Sequence, residues 1–269
     1  MCGQLGLIYG EKDRRPEDRS YLKWLFMYLL LLSEKRGPYA TGISWLKRDG
    51  SHSILKRPAR AVDFVKEKQF VEVLSEVDDT TTWLAGHTRW PTKGSHLDNR
   101  NNHPILVGKR LLGTHNGVVI NADALFKRFD LPRLAEVDSE IIFRMADDTL
   151  RDGCIDVSAF KERLAICRGQ ISAVLASKLD PKRMVVIKGN KPLELRYHEE
   201  HQVVIYASDP VFLNVALDNV RGCRQIDARP MSILTFDCSD LLNFESTTLA
   251  LAGGKGKGGF ERYVGPEED

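Results

Sequence analysis

The chain has 269 residues, of which 42% are apolar, and its 39 basic and 37 acidic side chains leave a formal charge of only +2. That composition supplies a sizeable core and excludes a disordered chain, and the near-balance of charge, with no basic run interleaved with aromatics, excludes nucleic acid as a partner. The cysteines Cys2, Cys154, Cys167, Cys223 and Cys238 are odd in number, widely spaced and without Cys-x-x-Cys, which argues against a disulfide framework or a zinc ribbon and suits a reducing compartment.

The first predicted element is an apolar strand over Gly3–Tyr9 with no basic leader before it, so no secretory signal is expected and a cytoplasmic location is. A charged loop leads to a helix over Ser20–Lys35. Its apolar run, Trp24–Leu32, falls far short of the ~20 residues of a membrane span and reads as a buried helix; no membrane partner is expected. A strand over Thr41–Lys47, a polar hairpin turn to Ser53, a helix over Val62–Val77 and a strand over Thr80–His87 follow. From Arg89 to Pro104 there is no periodicity, and a long loop of this kind is usually functional.

Next come a strand over Arg110–His115, a short helix capped by Asn121, and helices over Ser139–Leu150 and Val157–Arg168. Ile171–Leu179, Met184–Lys188, Leu193–His198 and Val203–Ala207 read as a four-strand meander. Asp209–Leu217 reads as a helix and Ile233–Phe236 as the last strand. Strands and helices fall in blocks, which predicts stacked layers, an α+β protein, and not a doubly wound parallel sheet. One domain is expected over residues 2–250, followed by a flexible Gly/Lys-rich tail at 251–269.

Four short segments carry the chemistry. Cys2 follows the initiator Met1, and a small residue there permits aminopeptidase removal of Met1. The mature first residue would then hold a thiol beside its own α-amine. Their ordinary pKa values, ~8.5 and ~7.7–8.0, are nearly matched, so one residue supplies both nucleophile and base. The other segments are Gly86-His87-Thr88-Arg89-Trp90-Pro91-Thr92, His115-Asn116-Gly117 and Asp138-Ser139-Glu140. Alone, Asn116-Gly117 reads as a two-residue hairpin turn, and Arg89 and Asp138 as solvated charges.

Taken in order, Cys-Gly, Arg-Trp, Asn-Gly and Asp-Ser-Glu, the chain resembles the class II glutamine amidotransferase domain of the N-terminal-nucleophile (Ntn) hydrolases. Similar domains occur in glucosamine-6-phosphate synthase and amidophosphoribosyltransferase. The resemblance implies a four-layer αββα sandwich of two antiparallel sheets flanked by helices. It implies hydrolysis of the side-chain amide of L-glutamine through a Cys2 thioester, with no cofactor or metal. Asn116 and Gly117 would supply the oxyanion donors, Arg89 would hold the α-carboxylate with help from Thr92, and Asp138 would accept from the α-ammonium. Trp90 would line the glutamine pocket in a loop that closes over substrate.

The family's Arg-Gly-x-Asp-Ser-Ala-Gly stretch is Arg36-Gly37-Pro38-Tyr39-Ala40-Thr41-Gly42 here, without its Asp and Ser. His87, His96, His103 and His115 lack the i, i+4 spacing of a helical zinc site. No acceptor domain follows the glutaminase motifs, so an ammonia-accepting synthase subunit is the expected partner; nothing opposes a homo-oligomer. The alternatives are a stand-alone amidohydrolase of another γ-glutamyl or amide substrate and an inactive glutamine-binding or scaffold module.

Overall fold

The computed structural model describes residues 2–218 and 220–252. In chain order the strands are β1 (Gly3–Tyr9), β2 (Ala40–Lys47), β3 (His52–Arg57), β4 (Thr81–Arg89), β5 (Ile105–Val107), β6 (Leu111–Val119), β7 (Leu150–Arg151) and β8 (Cys154–Ile155). They continue as β9 (Gly169–Ser177), β10 (Asp180–Lys188), β11 (Glu194–His198), β12 (Val203–Ala207), β13 (Cys223–Gln225), β14 (Ser232–Asp237) and β15 (Asp240–Thr248). The helices are α1 (Pro16–Ser33), α2 (Ala61–Phe64), α3 (Lys68–Ser75), α4 (Ala122–Arg128), α5 (Glu140–Asp148), α6 (Val157–Leu164) and α7 (Pro210–Ala216).

Two antiparallel sheets form, in the orders β13-β11-β12-β1-β4-β2-β3 and β15-β14-β10-β9-β6-β5; β7 and β8 make a separate hairpin. Period-2 alternation gives each sheet two apolar faces. On β1, Leu5 and Leu7 pack with Leu22, Leu25, Phe26 and Leu29 of α1, while Ile8 points the other way to meet the second sheet. The layer between the sheets holds Trp83, Leu112, Val174, Val186, Tyr206 and Phe236, and Trp83 Nε1 donates to Tyr206 Oη at 2.9 Å. Beyond the second sheet, Ile141, Ile142, Phe143 and Phe160 cover Ala173, Leu175 and Ile187. The order of layers is therefore α, β, β, α, the four-layer sandwich that the sequence resemblance implies.

Several sequence expectations shift. The helix α1 starts at Pro16, whose fixed φ and missing N–H suit a first turn. The stretch 62–77 splits into α2 and α3, with Glu67 extended between them. The meander is not one unit: β9 and β10 pair in one sheet, and β11 and β12 in the other. β5 and β13 were too short to announce themselves. β15 follows the strand read as the last; its residues Asp240–Thr248 are mostly exposed, so apolar alternation is absent. Asn121 makes no cap hydrogen bond; its side chain instead ties Ile166 O (3.0 Å) and Arg168 N (2.8 Å). Residues 253–269, most of the expected tail, lie outside the described residues.

The interlayer becomes polar at one end. There Gln4 Nε2 of β1 donates to Thr114 Oγ1 (2.9 Å) and Thr114 O (3.2 Å) of β6, and His87 Nε2 of β4 meets His115 O at 3.1 Å. His103 stacks on His87 with ring centroids 4.3 Å apart. His87, His103 and His115 are all buried, and burial holds the three imidazoles neutral: it pushes His87 down to about 3, His103 well below its usual value, and His115 below it as well. The unfolded chain binds protons at these sites below about pH 6.5 and the fold does not, so stability rises with pH across this window. Acidification below about pH 6.5 therefore costs about 1.4 kcal/mol per pH unit for His87, and His103 and His115 add to the loss in the same direction. Lowering the pH from about 7 to about 5.5, above the range where unfolded carboxylates titrate, should drop the melting temperature by roughly 5–15 °C; a flat profile over that window would contradict neutral burial.

Candidate active site

Side-chain alternation carries the site to this polar end. On β1, Gln4 and Ile8 face the interlayer, and continuing the period outward puts Cys2 on the same side. On β6, Leu112 and Thr114 face the interlayer, so Asn116 does too. Gln4 joined to Thr114 thus sets the level at which Cys2 and Asn116 follow on opposing sheets. Asn116-Gly117 is not a hairpin turn: both residues lie inside β6, in register with Ser172 and Ile171 of β9.

Close approach fixes the backbone around Cys2. A Cβ on Gly3 would sit 2.5 Å from Thr88 Oγ1 and 2.8 Å from Ser33 Cβ, and Thr88 Oγ1 donates to Ser33 O at 2.7 Å. The end of α1 is therefore drawn against β1, which delivers Arg36. Arg36 Nε donates to Cys2 O at 2.9 Å, and its Nη1 reaches Ser208 O (3.3 Å) and Asp209 Oδ2 (3.2 Å). Gln4 N donates to Ser208 Oγ (3.0 Å) and Ser208 N to Gln4 O (2.7 Å), which closes the same corner.

The Cys2 sulfur is only partly exposed. Sγ–H meets Trp90 O and Trp90 N–H meets Sγ, both at 3.4 Å. Burial raises the thiol pKa; the Trp90 backbone contact and the charges of Arg89 and Arg36 pull it down. Trp90 itself is 45% exposed and packs edge-on to Tyr39 with centroids 5.1 Å apart; Tyr39 also meets His96 at 5.4 Å. Tyr39, at the position where the resembled pattern has Asp, thus packs beside Trp90 and His96.

Asn116 is 2% exposed, and its Nδ2 has no hydrogen-bond partner. An amide donor buried without an acceptor costs about 1–3 kcal/mol. Gly117 has φ +146°, and a Cβ there would fall 1.8 Å from Gln170 O; only glycine lets the strand pass so close.

Arg89 is 3% exposed and already engaged. Nη1 donates to Asn102 Oδ1 (2.9 Å) and Ser95 O (3.3 Å), and Nη2 to Lys93 O (2.7 Å) and Gly94 O (2.9 Å). The guanidinium is the hub around which residues 93–102 wrap. Gly94 supports the wrap with φ +78° and a position where a Cβ would meet Asn101 at 2.7 Å. Lys93 ties the loop to α4 through Asp123 (2.8 Å). Thr92 is exposed on this loop.

Asp138 is 3% exposed; its Oδ2 accepts from Val119 N at 2.5 Å, and its charge acts on Arg89 and His115. The next two residues of its motif hold the scaffold. Ser139 Oγ bonds His115 Nδ1 at 2.7 Å, and Glu140 takes Arg144 (2.7 Å) and the N–H groups of Leu134 and Ala135. Among the described residues no group of His, Cys, Asp and Glu side chains is arranged to hold a metal. Cys2, Trp90, Arg89 and Asp138 thus gather with Asn116 and Gly117 at one end of the sandwich, while Thr92 stands on the outer turn of the loop. Sequence reasoning missed Asn102 and the Ser208–Asp209 corner. They act through the Asn102 carboxamide, the Ser208 carbonyl and hydroxyl and the Asp209 carboxylate, which form no recognisable motif.

No family model matches the chain. It is 25% identical over 223 residues to the 7-cyano-7-deazaguanine synthase of Sulfolobus acidocaldarius, a match covering 82% of this chain and 46% of that protein. To the glutamine–fructose-6-phosphate aminotransferase (isomerizing) of Bacillus cereus it is 27% identical, over 94% of this chain and 39% of that protein. The chain therefore spans less than half the length of these relatives. Among solved structures it superposes on the glutamine phosphoribosylpyrophosphate amidotransferase of B. subtilis with a TM-score of 0.66, at 18% identity, over 92% of this chain and 49% of that one. It also superposes on an allosteric regulatory enzyme of purine biosynthesis with a TM-score of 0.67, at 17% identity and the same coverage. The resemblance to class II glutamine amidotransferase domains holds in sequence and in fold.

The crowding at Gly117 has a direct consequence. Gly117→Ala should destabilise the protein by on the order of 2–4 kcal/mol in urea unfolding, because a methyl group has to displace Gln170 O of the neighbouring strand. A loss under about 0.5 kcal/mol would show that β6 and β9 are not so closely apposed.

Proposed function

We propose that the protein hydrolyses the side-chain amide of L-glutamine to glutamate and ammonia, and that the ammonia passes to a synthase unit. The observation that carries this reading is the buried, unpartnered Asn116 Nδ2 on the sheet face opposite Cys2. A buried amide donor there suits an oxygen that turns negative during reaction. Sequence similarity to an aminotransferase that takes its nitrogen from glutamine supports the choice of amide.

In this reading removal of Met1 frees the Cys2 α-amine, which takes the thiol proton directly or through a water. The thiolate attacks the amide carbon of glutamine; a C–S bond forms and the carbonyl electrons move onto oxygen. Asn116 Nδ2 and the Gly117 N–H hold that oxyanion. Collapse breaks the C–N bond, and the α-ammonium returns its proton to the departing ammonia. Water then cleaves the γ-glutamyl thioester, releasing glutamate and restoring the thiol. Arg36, bonded to Cys2 O, keeps the residue in place.

Glutamine's zwitterionic end calls for one cation and one anion. Asp138 serves as the acceptor for the α-ammonium. Arg89 serves the α-carboxylate, which needs the carbonyls of Lys93, Gly94 and Ser95 to move off the guanidinium. Substrate binding and rearrangement of the 93–102 loop are then one event, with Trp90 at its base and Thr92 as an added donor. A reducing compartment, the cytoplasm, suits a reaction that depends on a free thiol. No helix among the described residues is long and apolar enough to cross a membrane.

Intact-mass analysis of the purified protein should show Met1 removed. Cys2→Ala should abolish glutamate release, and Asn116→Ala should lower kcat by about 10²–10³. Asp138→Ala should raise KM for glutamine at least about tenfold with a smaller change in kcat. Undiminished turnover by Cys2→Ala, or a retained Met1 in an active preparation, would overturn the mechanism.

A further inference from the structure

The 93–102 loop is tied to the sheet by a side chain that none of the four motifs contains. Lys56 lies on β3, the edge strand of the first sheet, in register with Gly42 of β2. A Cβ on Gly42 would fall 3.0 Å from Lys56 Cγ and 2.1 Å from His103 O. The bare backbone at Gly42 therefore lets the stem of Lys56 and the chain at His103 close over the same residue. Lys56 Nζ donates to Asn102 O at 2.9 Å, and Asn99 Nδ2 donates to Lys56 O at 3.2 Å. Burial pushes the Lys56 ammonium down to about 8, with Arg89 adding to that shift and Asp98 opposing it. A charge-assisted bond to a carbonyl returns part of the hydration such a group has lost.

Asn102 passes this hold to Arg89. It is 1% exposed, and its Oδ1 accepts from Arg89 Nη1 at 2.9 Å while its Nδ2 donates to His96 O (2.8 Å) and Asn99 Oδ1 (2.9 Å). The other partners of the guanidinium differ in kind. They are the backbone carbonyls of Lys93, Gly94 and Ser95, and Lys93 and Ser95 are exposed. The cradle of Arg89 thus has a buried end anchored to β3 and an outer end on the surface turn.

We propose that Lys56 is a positioning residue for glutamine: by fixing the Asn102 backbone it keeps the Asn102 carboxamide on Arg89 while the carbonyls of residues 93–95 give way to the substrate's α-carboxylate. This rests on the reading of Arg89 as the carboxylate receptor and goes beyond it by naming what holds the guanidinium as the outer turn moves. A planar guanidinium meets a carboxylate bidentately in few orientations. Losing the fixed partner should therefore weaken substrate binding and leave the chemistry at Cys2 nearly untouched.

Lys56→Met keeps most of the stem and removes the donor. In a glutaminase assay it should raise KM for glutamine by roughly fivefold to twentyfold and change kcat by less than about twofold. Lys56→Arg, which keeps a charged donor, should return KM to within about threefold of the parent. In an Asn102→Ala background, Lys56→Met should raise KM by less than about twofold, because the link it acts through is gone. An unchanged KM in Lys56→Met, or the full increase persisting without the Asn102 carboxamide, overturns the proposal. A second readout needs no glutamine: trypsin nicking after Lys93 and Arg100, located by mass spectrometry, should be about threefold to tenfold faster in Lys56→Met. Faster nicking in that variant, when the parent releases no glutamate, would sink the glutaminase reading alone. Parent-like nicking and KM in an active Lys56→Met enzyme would sink only the role of Lys56.

Discussion

The hydrogen bonds from the Gln4 carboxamide to Thr114, together with the contact of His87 Nε2 with His115 O, fix the register between two sheets that elsewhere meet through apolar packing. The interlayer formed by Ile8, Trp83, Leu112, Val174 and Phe236 is closely packed but supplies no directional bond between the sheets. A buried amide that must find its partners cannot slide, since an orphaned polar group there costs about 1–3 kcal/mol. Gln4 bonds both the carbonyl and the hydroxyl of Thr114. Two residues further out, the same register brings the levels of Cys2 and Asn116 together. The levels of Cys2 and Asn116 thus follow from these polar contacts and from the period of two in each strand.

Around that register the structure places its close approaches at glycine. Gly3 admits Thr88 and Ser33, and Gly37 passes with a would-be Cβ 2.4 Å from the Arg89 carbonyl carbon. These two contacts bring α1, β4 and β1 to a point, and Arg36 locks it through the Cys2 carbonyl. Tyr39 and Ala40 stand where the resembled pattern has Asp and Ser, and Arg36 before them donates to the Cys2 carbonyl. Buttressing here depends on Arg36, Ser208 and Asp209.

Much of this was legible in the sequence, for reasons that differ by element. β1, β12 and the core of β4 are fully buried runs with β-branched or aromatic residues, and their boundaries follow from composition. β15 was not legible because an edge strand with one solvated face shows little apolar alternation. The division of β9–β12 between two sheets was not legible either, because a turn within a sheet and a turn between sheets use the same residues. The four site segments announced themselves by order and residue type. What stayed hidden were contacts made by backbone carbonyls: those of Lys93, Gly94 and Ser95 on Arg89, and that of Cys2 on Arg36. The engagement of Arg89 also recasts it, from the solvated charge that it reads as alone to the buried hub of the 93–102 loop.

The central claim is that the Cys2 sulfur is the atom that glutamine meets. Its most direct test is covalent capture with a glutamine analogue whose carboxamide is replaced by a diazomethyl ketone, an electrophile that alkylates only a nucleophile seated beside the bound side chain. The account predicts one equivalent of label per chain, located on Cys2 by peptide mass spectrometry and prevented by excess glutamine. Label on Cys154 or Cys223, or no label protected by glutamine, would contradict it.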